Sequence, residues 1–234
     1  MEIKQVGVVG CGLMGSGIAE VCARAGYDVV VREVNQNFLK QGLERIQKSM
    51  ARGVERKKLT QEEADTAFSR IQGTTKMGDF AKSDLVVEAV IENPEEKKAV
   101  FSELDQVTPA HAILASNTSS LSVTALAGAT QRPDKVLGMH FFNPAPVMPL
   151  LEMVRTTLTS DETFEAAKTF GEGLGKTVIV AKDWPGFIVN YLLVPFLLDA
   201  VRAVESGLAT KEDIDTGVKL GLNHPMGPLT LLDF

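Results

Sequence analysis

Residues 6–20 read V-G-V-V-G-C-G-L-M-G-S-G-I-A-E, an apolar run that breaks into glycines and then resumes at helical spacing. Residues 6–9 predict a short strand. Residues 16–25, with Ile18, Val21, Cys22 and Ala25 on one face, predict a helix that Gly26 stops. The next run, D-V-V-V-R-E at 28–33, predicts a second strand. Strand, helix and strand within about 30 residues form a βαβ unit. Its first turn carries Gly10-x-Gly12-x-x-Gly15. Each glycine has a physical task there: Gly10 the tight turn, Gly12 the close approach of a pyrophosphate to the backbone, Gly15 the close packing of helix on strand. The start of the helix turns unpaired N–H groups and a positive dipole end toward that phosphate.

An acid is needed after the second strand to accept hydrogen bonds from an adenosine ribose, and Glu33 stands there, 23 residues after Gly10. A carboxylate repels a 2′-phosphate, so NAD is expected over NADP. Arg32, which can pair with such a phosphate, pulls the other way. The plainer alternative is that the glycines only end a strand in an α/β protein that binds no nucleotide.

Outward from this unit the alternation continues. A long helix is predicted over 36–51, and the capping-box pattern Thr60-Gln-Glu-Glu63 opens another to Arg70. Strands are predicted at 84–91, 112–116, 136–140, 150–155 and 176–180. Helices run from Pro94 to Leu104 and from Asp161 to Leu174. Near-continuous apolar strands alternating with helices predict an α/β fold with a mainly parallel sheet covered on both faces. The composition changes at Lys182-Asp-Trp-Pro-Gly186, and afterwards only helices are predicted, over 187–206 and 211–220. The expected organisation is a Rossmann-type dinucleotide-binding domain over 1–183, with a helical hairpin at about 36–70, and an all-helical domain over 184–234. So small a helical piece is marginal alone. It is expected either to be the truncated start of a larger domain or to pack on the first domain and a partner chain.

Of 234 residues, 44% are hydrophobic and 23% charged, which excludes global disorder. Thirty acidic against 24 basic side chains leave −6, which excludes a general nucleic-acid binder. Cys11 and Cys22 make neither a disulfide framework nor a thiolate metal site. His111, His140 and His224 are too far apart for a zinc motif, so no metal is expected. The apolar stretch 188–201 contains Asn190, Pro195 and Asp199 and is too short to span a bilayer, so no membrane partner is expected. No basic-then-apolar leader follows Met1, and the cytoplasm is the expected location. Cys22 and His224 read as structural, and Trp184 as a packing residue.

The chemistry centres on M-H-F-F-N-P-A-P-V-M-P-L-L-E at 139–152. His140 ends a predicted strand, where ligands of open α/β sheets gather. Turn signals follow at Asn143-Pro144 and Pro146, and the chain re-enters a strand carrying Glu152. Such a return can set the carboxylate against the imidazole. Oxidation of an alcohol uses that pair: the neutral ring takes the hydroxyl proton as hydride leaves, and the carboxylate fixes the tautomer and stabilises the imidazolium. A satisfied structural histidine is the equally weighted alternative from spacing alone.

The motifs G-C-G-L-M-G (10–15), D-L-V-V-E-A-V-I-E-N (84–93), S-N-T-S-S-L (116–121), H-F-F-N-P-A-P-V-M (140–148), P-G-F-I-V-N (185–190) and N-H-P-M-G-P-L (223–229) run the length of the chain. Together they resemble the L-3-hydroxyacyl-CoA dehydrogenase family, and most nearly its short-chain 3-hydroxybutyryl-CoA type. The resemblance implies NAD-dependent interconversion of an L-3-hydroxyacyl-CoA and the 3-oxoacyl-CoA. It implies His140 as general base, Glu152 as its orienting acid, and Ser119 and Asn190 beside the substrate oxygen. It also implies cofactor contacts from Gly10, Gly12, Leu13, Met14, Gly15, Glu33, Ala89, Glu92, Lys97, Ser119 and Asn143. Ser49 and Arg56 fall where the family's helical hairpin meets coenzyme A, and the basic run Arg56-Lys57-Lys58 suits its phosphates. A homodimer through the C-terminal helical domain is implied as well. The apolar face Leu192, Leu193, Phe196 and Leu197 fits that, since a piece this small cannot bury it alone.

Three departures qualify the likeness. Tyr191 stands where the family commonly has arginine, and Pro149 where many members have lysine, which bears on acyl-chain specificity or packing rather than chemistry. The family's C-terminal domain also extends further, with helices that complete the dimer interface and one wall of the substrate site. The competing functions are the same chemistry on a longer-chain or dicarboxylic hydroxyacyl-CoA or on a free hydroxy acid, and a non-catalytic NAD-binding structural protein.

Overall fold

In the computed structural model, which describes residues 2–233, the strands before residue 185 form one eight-stranded sheet. The opening βαβ unit is β1 (Gln5–Val9), α1 (Leu13–Arg24) and β2 (Asp28–Arg32). The hairpin α2 (Gln36–Glu55) and α3 (Gln61–Ser69) leads into β3 (Ile71–Thr74). Then come β4 (Leu85–Glu88), α4 (Pro94–Val107), β5 (Ile113–Ser116), α5 (Val123–Ala127), β6 (Val136–Phe141), β7 (Leu150–Arg155), α6 (Asp161–Gly173) and β8 (Thr177–Lys182). The order across the sheet is β3-β2-β1-β4-β5-β6-β7-β8, and every neighbouring pair is parallel except β6 and β7. This is the mainly parallel Rossmann-type sheet that the alternation predicts.

The sheet is covered on both faces, because successive strand residues are all buried: the four of β4, the four of β5 and the six of β6. Such strands need apolar residues at every position, not at alternate ones. Apart from α1, the α-helices of this unit start on side-chain caps. Asn35 Oδ1 accepts the Phe38 N–H, Thr60 and Glu63 close the capping box, and Asn93 caps α4 with Pro94 in its first turn.

The second compact unit, Pro185–Phe234, is helical: α7 (Val189–Glu205), α8 (Lys211–Gly221) and α9 (Pro228–Leu232). The Asp215 carboxylate on α8 accepts the N–H groups of Leu229 and Thr230 at 2.8 and 2.9 Å and so fixes the start of α9. Phe196 meets the His224 ring edge-on at 5.8 Å, a packing role for that histidine.

Several expectations need correction. β3 is not foreseen, because I-Q-G-T has no apolar run; it is an edge strand with two of its four residues exposed. The five-residue helices α5 and α9 are too short to show a period. α1 begins three residues before the predicted start, since Gly12 already takes the capping position. The strand expected over 84–91 ends at Glu88. There the backbone of Ala89 presses on Gly10, whose φ is +93° and where an added Cβ would lie 2.6 Å from the Ala89 carbonyl oxygen. Trp184 is 61% exposed, so the packing expected of it is not found among the described residues.

Candidate active site

β1, β4, β5 and β6 run in the same direction, so their carboxyl ends share one edge of the sheet. That edge gathers the glycine loop after β1, residues 89–92 after β4, residues 117–119 after β5, and His140 near the end of β6. The fold therefore brings together the segments of the residues expected at the cofactor and in proton transfer that lie in the first unit. Asn190 lies apart from them in sequence, at the start of α7 in the second unit.

The glycine loop fits a dinucleotide. An added Cβ at Gly15 would stand 1.8 Å from the Gly10 carbonyl oxygen, so only glycine permits this turn. Gly12 faces open space, with nothing within 4 Å of such a Cβ. No side chain caps α1 and no acid occupies its first turn, which leaves its N–H groups and dipole to an anion. The Glu33 carboxylate is held beside the loop, Oε1 accepting the Cys11 N–H at 2.8 Å and Oε2 the Val34 N–H at 2.9 Å. Each oxygen keeps a second lone pair for a ribose hydroxyl. Burial pushes the Cys11 and Cys22 thiols up to about 12, which rules them out as ready nucleophiles.

Beside the loop lies a buried charge cluster. Lys97 Nζ donates to Glu88 Oε1 at 2.7 Å and stands 3.2 Å from Glu92 Oε2. Ser116 Oγ donates to Glu88 Oε2 at 2.7 Å. Lys97 is 1% exposed and meets the segment after β4 through Glu92 and through the Val90 carbonyl, to which Nζ donates at 3.4 Å. Glu92 in turn accepts from the Thr118 hydroxyl and from the Ser119 N–H at 3.0 Å, which fixes the turn that carries Ser119. Burial alone would raise the Glu92 pKa. The Thr118 hydrogen bond, the Lys97 ammonium and the Ser119 N–H outweigh it and hold the carboxyl below its ordinary value.

His140 and Glu152 lie directly opposite each other in the antiparallel β6–β7 ladder. Partners in register share a face, so the side chains meet: Nδ1 lies 2.9 Å from Glu152 Oε2. Glu152 is fully buried and His140 is 6% exposed. An ionised carboxylate can only accept, so it places the proton on Nδ1 and leaves the lone pair on Nε2. Phe142 packs against the imidazole with ring centroids 4.5 Å apart.

A cavity of about 560 Å³ opens between α1, α2 and the β6–β7 loop, lined by Leu13, Glu20, Arg45, Ser49, Arg52 and Asn143 among others. A second cavity of about 270 Å³ shares Glu20, Ser49 and Arg52 with it and continues to Arg56 and Lys58. One cleft thus joins Asn143 to the basic turn, with Ser49 along it and Arg56 at its far end. Sequence reasoning missed Glu20, Arg24 and Arg52 in this cleft. Glu20 is 2% exposed, and burial raises its pKa against the opposing pull of Ser49 and Arg24. Its one sequence signal is a charge inside the apolar face of α1. Among the described residues no group of His, Cys, Asp and Glu is arranged to hold a metal ion.

A parallel sheet with a G-x-G-x-x-G turn at its carboxyl edge, an uncapped helix behind it and an acid after β2 defines a Rossmann-type dinucleotide-binding protein. Residues 5–184 match the family model described as 3-hydroxyacyl-CoA dehydrogenase, NAD binding domain, and residues 186–234 match its C-terminal domain. The chain belongs to the 3-hydroxyacyl-CoA dehydrogenase family. It is 48% identical over 232 residues to a 3-hydroxybutyryl-CoA dehydrogenase of Bradyrhizobium diazoefficiens, covering 99% of this chain and 79% of that protein. It is 50% identical over 233 residues to one of Mycobacterium tuberculosis, covering 99% and 82%. The crystal structure of M. tuberculosis FadB2 superposes with a TM-score of 0.97 at 49% identity, over 100% of this chain and 82% of that one. The (S)-3-hydroxybutyryl-CoA dehydrogenase PaaH1 of Ralstonia eutropha gives 0.97 at 43%, over 99% and 82%.

Proposed function

We propose that this chain interconverts L-3-hydroxyacyl-CoA and 3-oxoacyl-CoA with NAD, the substrate being short, of the 3-hydroxybutyryl-CoA kind. The observation that carries this reading is the buried His140–Glu152 pair at the edge of the sheet where the glycine loop lies. Gly10, Gly12, Gly15 and the start of α1 at Leu13 and Met14 hold the pyrophosphate of the dinucleotide. Glu33 takes the ribose, and Ala89, Glu92 and Asn143 line its path, with Lys97 acting through Glu92. When bound, NAD supplies the acceptor for the hydride that leaves C3 of the substrate. His140 Nε2 takes the proton of the C3 hydroxyl, and Glu152 stabilises the resulting imidazolium. Ser119 and Asn190 position the substrate oxygen. Ser49 and Arg56 bind the coenzyme A portion along the α1–α2 cleft.

The test is acetoacetyl-CoA-dependent oxidation of NADH, followed by nicotinamide absorbance. Turnover that rises with C4 over C8 or dicarboxylic thioesters is expected. NADH binding without turnover on any thioester would sink the reading in favour of a non-catalytic binding protein.

Two variants probe the two ligands. Glu33→Ala is expected to raise the KM for NAD about tenfold and to narrow the preference over NADP, because one charge-assisted contact and one repulsion vanish together. Initial rates with both dinucleotides check this. Arg56→Ala is expected to raise the KM for acetoacetyl-CoA about fivefold and to leave the KM for acetoacetyl-pantetheine unchanged, since that thioester carries no phosphate for Arg56 to hold. An equal change with both thioesters would place Arg56 elsewhere.

We also infer a homodimer through α7. Of the face expected from the sequence only Leu192 is exposed, Leu193, Phe196 and Leu197 being half-buried; the helix instead exposes Tyr191, Leu192, Val194 and Leu198 at 53, 64, 52 and 46%, apolar surface that a second copy would cover. Sedimentation of the chain, with Leu192→Glu as control, tests it. Among the described residues no helix is long and apolar enough to cross a membrane.

A further inference from the structure

The loop between β6 and β7 follows His140 directly, carries Asn143, and forms one wall of the cleft through Pro144, Ala145 and Pro146. Within itself it closes only a tight turn, the N–H groups of Val147 and Met148 donating to the Pro144 carbonyl at 2.9 and 3.0 Å. The Thr177 N–H holds its last residue, donating to the Pro149 carbonyl at 2.7 Å, and two further contacts fix the turn itself. Ala145 is 3% exposed and seats on Gly17 of α1, where an added Cβ would come within 3.1 Å of the Ala145 methyl and 3.2 Å of Pro146 Cδ. The second contact comes from the segment leading into β8. Lys176 Nζ donates to the Ala145 carbonyl at 2.6 Å and to the Met148 carbonyl at 2.8 Å.

An ammonium spends hydration to reach such a place. Among the described residues no carboxylate pairs with Lys176. Burial, with Arg24 nearby, pushes its pKa below the ordinary lysine value. The two carbonyls are therefore what holds the side chain there. Charge-assisted bonds to carbonyls three residues apart clamp both ends of the turn at once, which a single neutral donor cannot do. None of the motifs that mark the family includes this residue, and the proton-transfer pair does not touch it.

We propose that Lys176 is a positioning residue for the substrate cleft: its ammonium, held between the Ala145 and Met148 carbonyls, sets the wall that residues 144–147 present to the acyl-CoA. The assignment of the cleft rests on the proposed function; the clamp itself does not. Substrate affinity then depends on a side chain that touches neither substrate nor cofactor, and the KM for the thioester carries the effect.

The experiment compares wild type with Lys176→Met and Lys176→Arg. Hydrogen exchange of the ligand-free chain, read by mass spectrometry, is expected to rise in Lys176→Met for peptides covering 142–149 and to stay at wild-type level elsewhere. In kinetics, Lys176→Met is expected to raise the KM for acetoacetyl-CoA on the order of tenfold, lower kcat less, and leave the NADH dissociation constant within about twofold. Lys176→Arg, whose guanidinium can also reach two carbonyls, is expected to recover most of the KM. Wild-type exchange and KM in Lys176→Met would overturn the proposal. So would an exchange increase spread evenly over the domain, or a loss confined to kcat and NADH affinity. If Lys176→Met does not fold, Lys176→Gln, which keeps a donor without the charge, is read the same way. If wild type itself turns over no acyl-CoA, the proposed function fails and the exchange arm alone decides: a local rise supports the clamp and an even one overturns it.

Discussion

Replacing His140 by glutamine is expected to lower kcat for acetoacetyl-CoA reduction about a thousandfold, within the range that general acid–base catalysis contributes. The substitution nearly preserves size, and its amide N–H can still donate to the buried Glu152 carboxylate, so the strand pair keeps its partner. What it removes is a group at Nε2 able to take and return a proton. The glycine loop and Glu33 are untouched, so NADH affinity, read by fluorescence titration, stays at the wild-type value. A loss in kcat with unchanged NADH binding marks an interaction made in the transition state. Glu152→Gln separates the second role. Its amide nitrogen can donate to Nδ1 and would then favour the tautomer with the proton on Nε2, the wrong one for a base. The expected loss is about a hundredfold, larger than a lost hydrogen bond alone produces. A fall of less than tenfold in His140→Gln would remove His140 from the proton-transfer step.

How much of this was legible depends on the range over which the chain writes its signals. The βαβ unit, the capping box at Thr60–Glu63 and the apolar strands are local patterns, and they appear where the sequence predicts them. The return from His140 to Glu152 is also nearly local. Turn residues at 143–146 bring the chain back, and antiparallel pairing sets residues 140 and 152 opposite each other. The edge strand β3 was not legible, because an edge needs few apolar residues and I-Q-G-T has one. Nor were the polar groups that build the cleft. Glu20 and Lys176 look like ordinary surface charges in sequence. Only the fold shows that one is sealed beneath α2 and that the other crosses to carbonyls about thirty residues away. Lys97 could be placed near the cofactor by resemblance, yet its burial against Glu88 follows from the packing of α4 on the sheet, which no local pattern states.

That burial sets up the largest stability effect expected in this chain. Lys97→Met is expected to destabilise the first unit by about 3–5 kcal/mol, because it leaves the Glu88 carboxylate charged and buried without its cation. Glu88 is fully buried. Its remaining donors are neutral, the Val90 N–H at 2.7 Å and the Ser116 hydroxyl at 2.7 Å, and they cannot replace a charge. In a domain of this size the loss corresponds to a fall in Tm on the order of 10 °C by calorimetry. Glu88→Gln in the same background removes the stranded charge and is expected to restore most of it, so the double variant should be more stable than Lys97→Met alone. Equal melting of Lys97→Met and wild type would show that the pair carries no such energy. The same variant changes the acid side of the stability profile. Lys97 helps hold the Glu92 carboxyl below its ordinary value, and a depressed carboxyl contributes stability that is full above its unfolded pKa and is lost as pH falls through the folded one. With Lys97 gone the Glu92 pKa rises toward the ordinary range, so that contribution shrinks and is spent at a higher pH. The Thr118–Ser119 turn that Glu92 holds then loosens in mild acid, ahead of the rest of the domain.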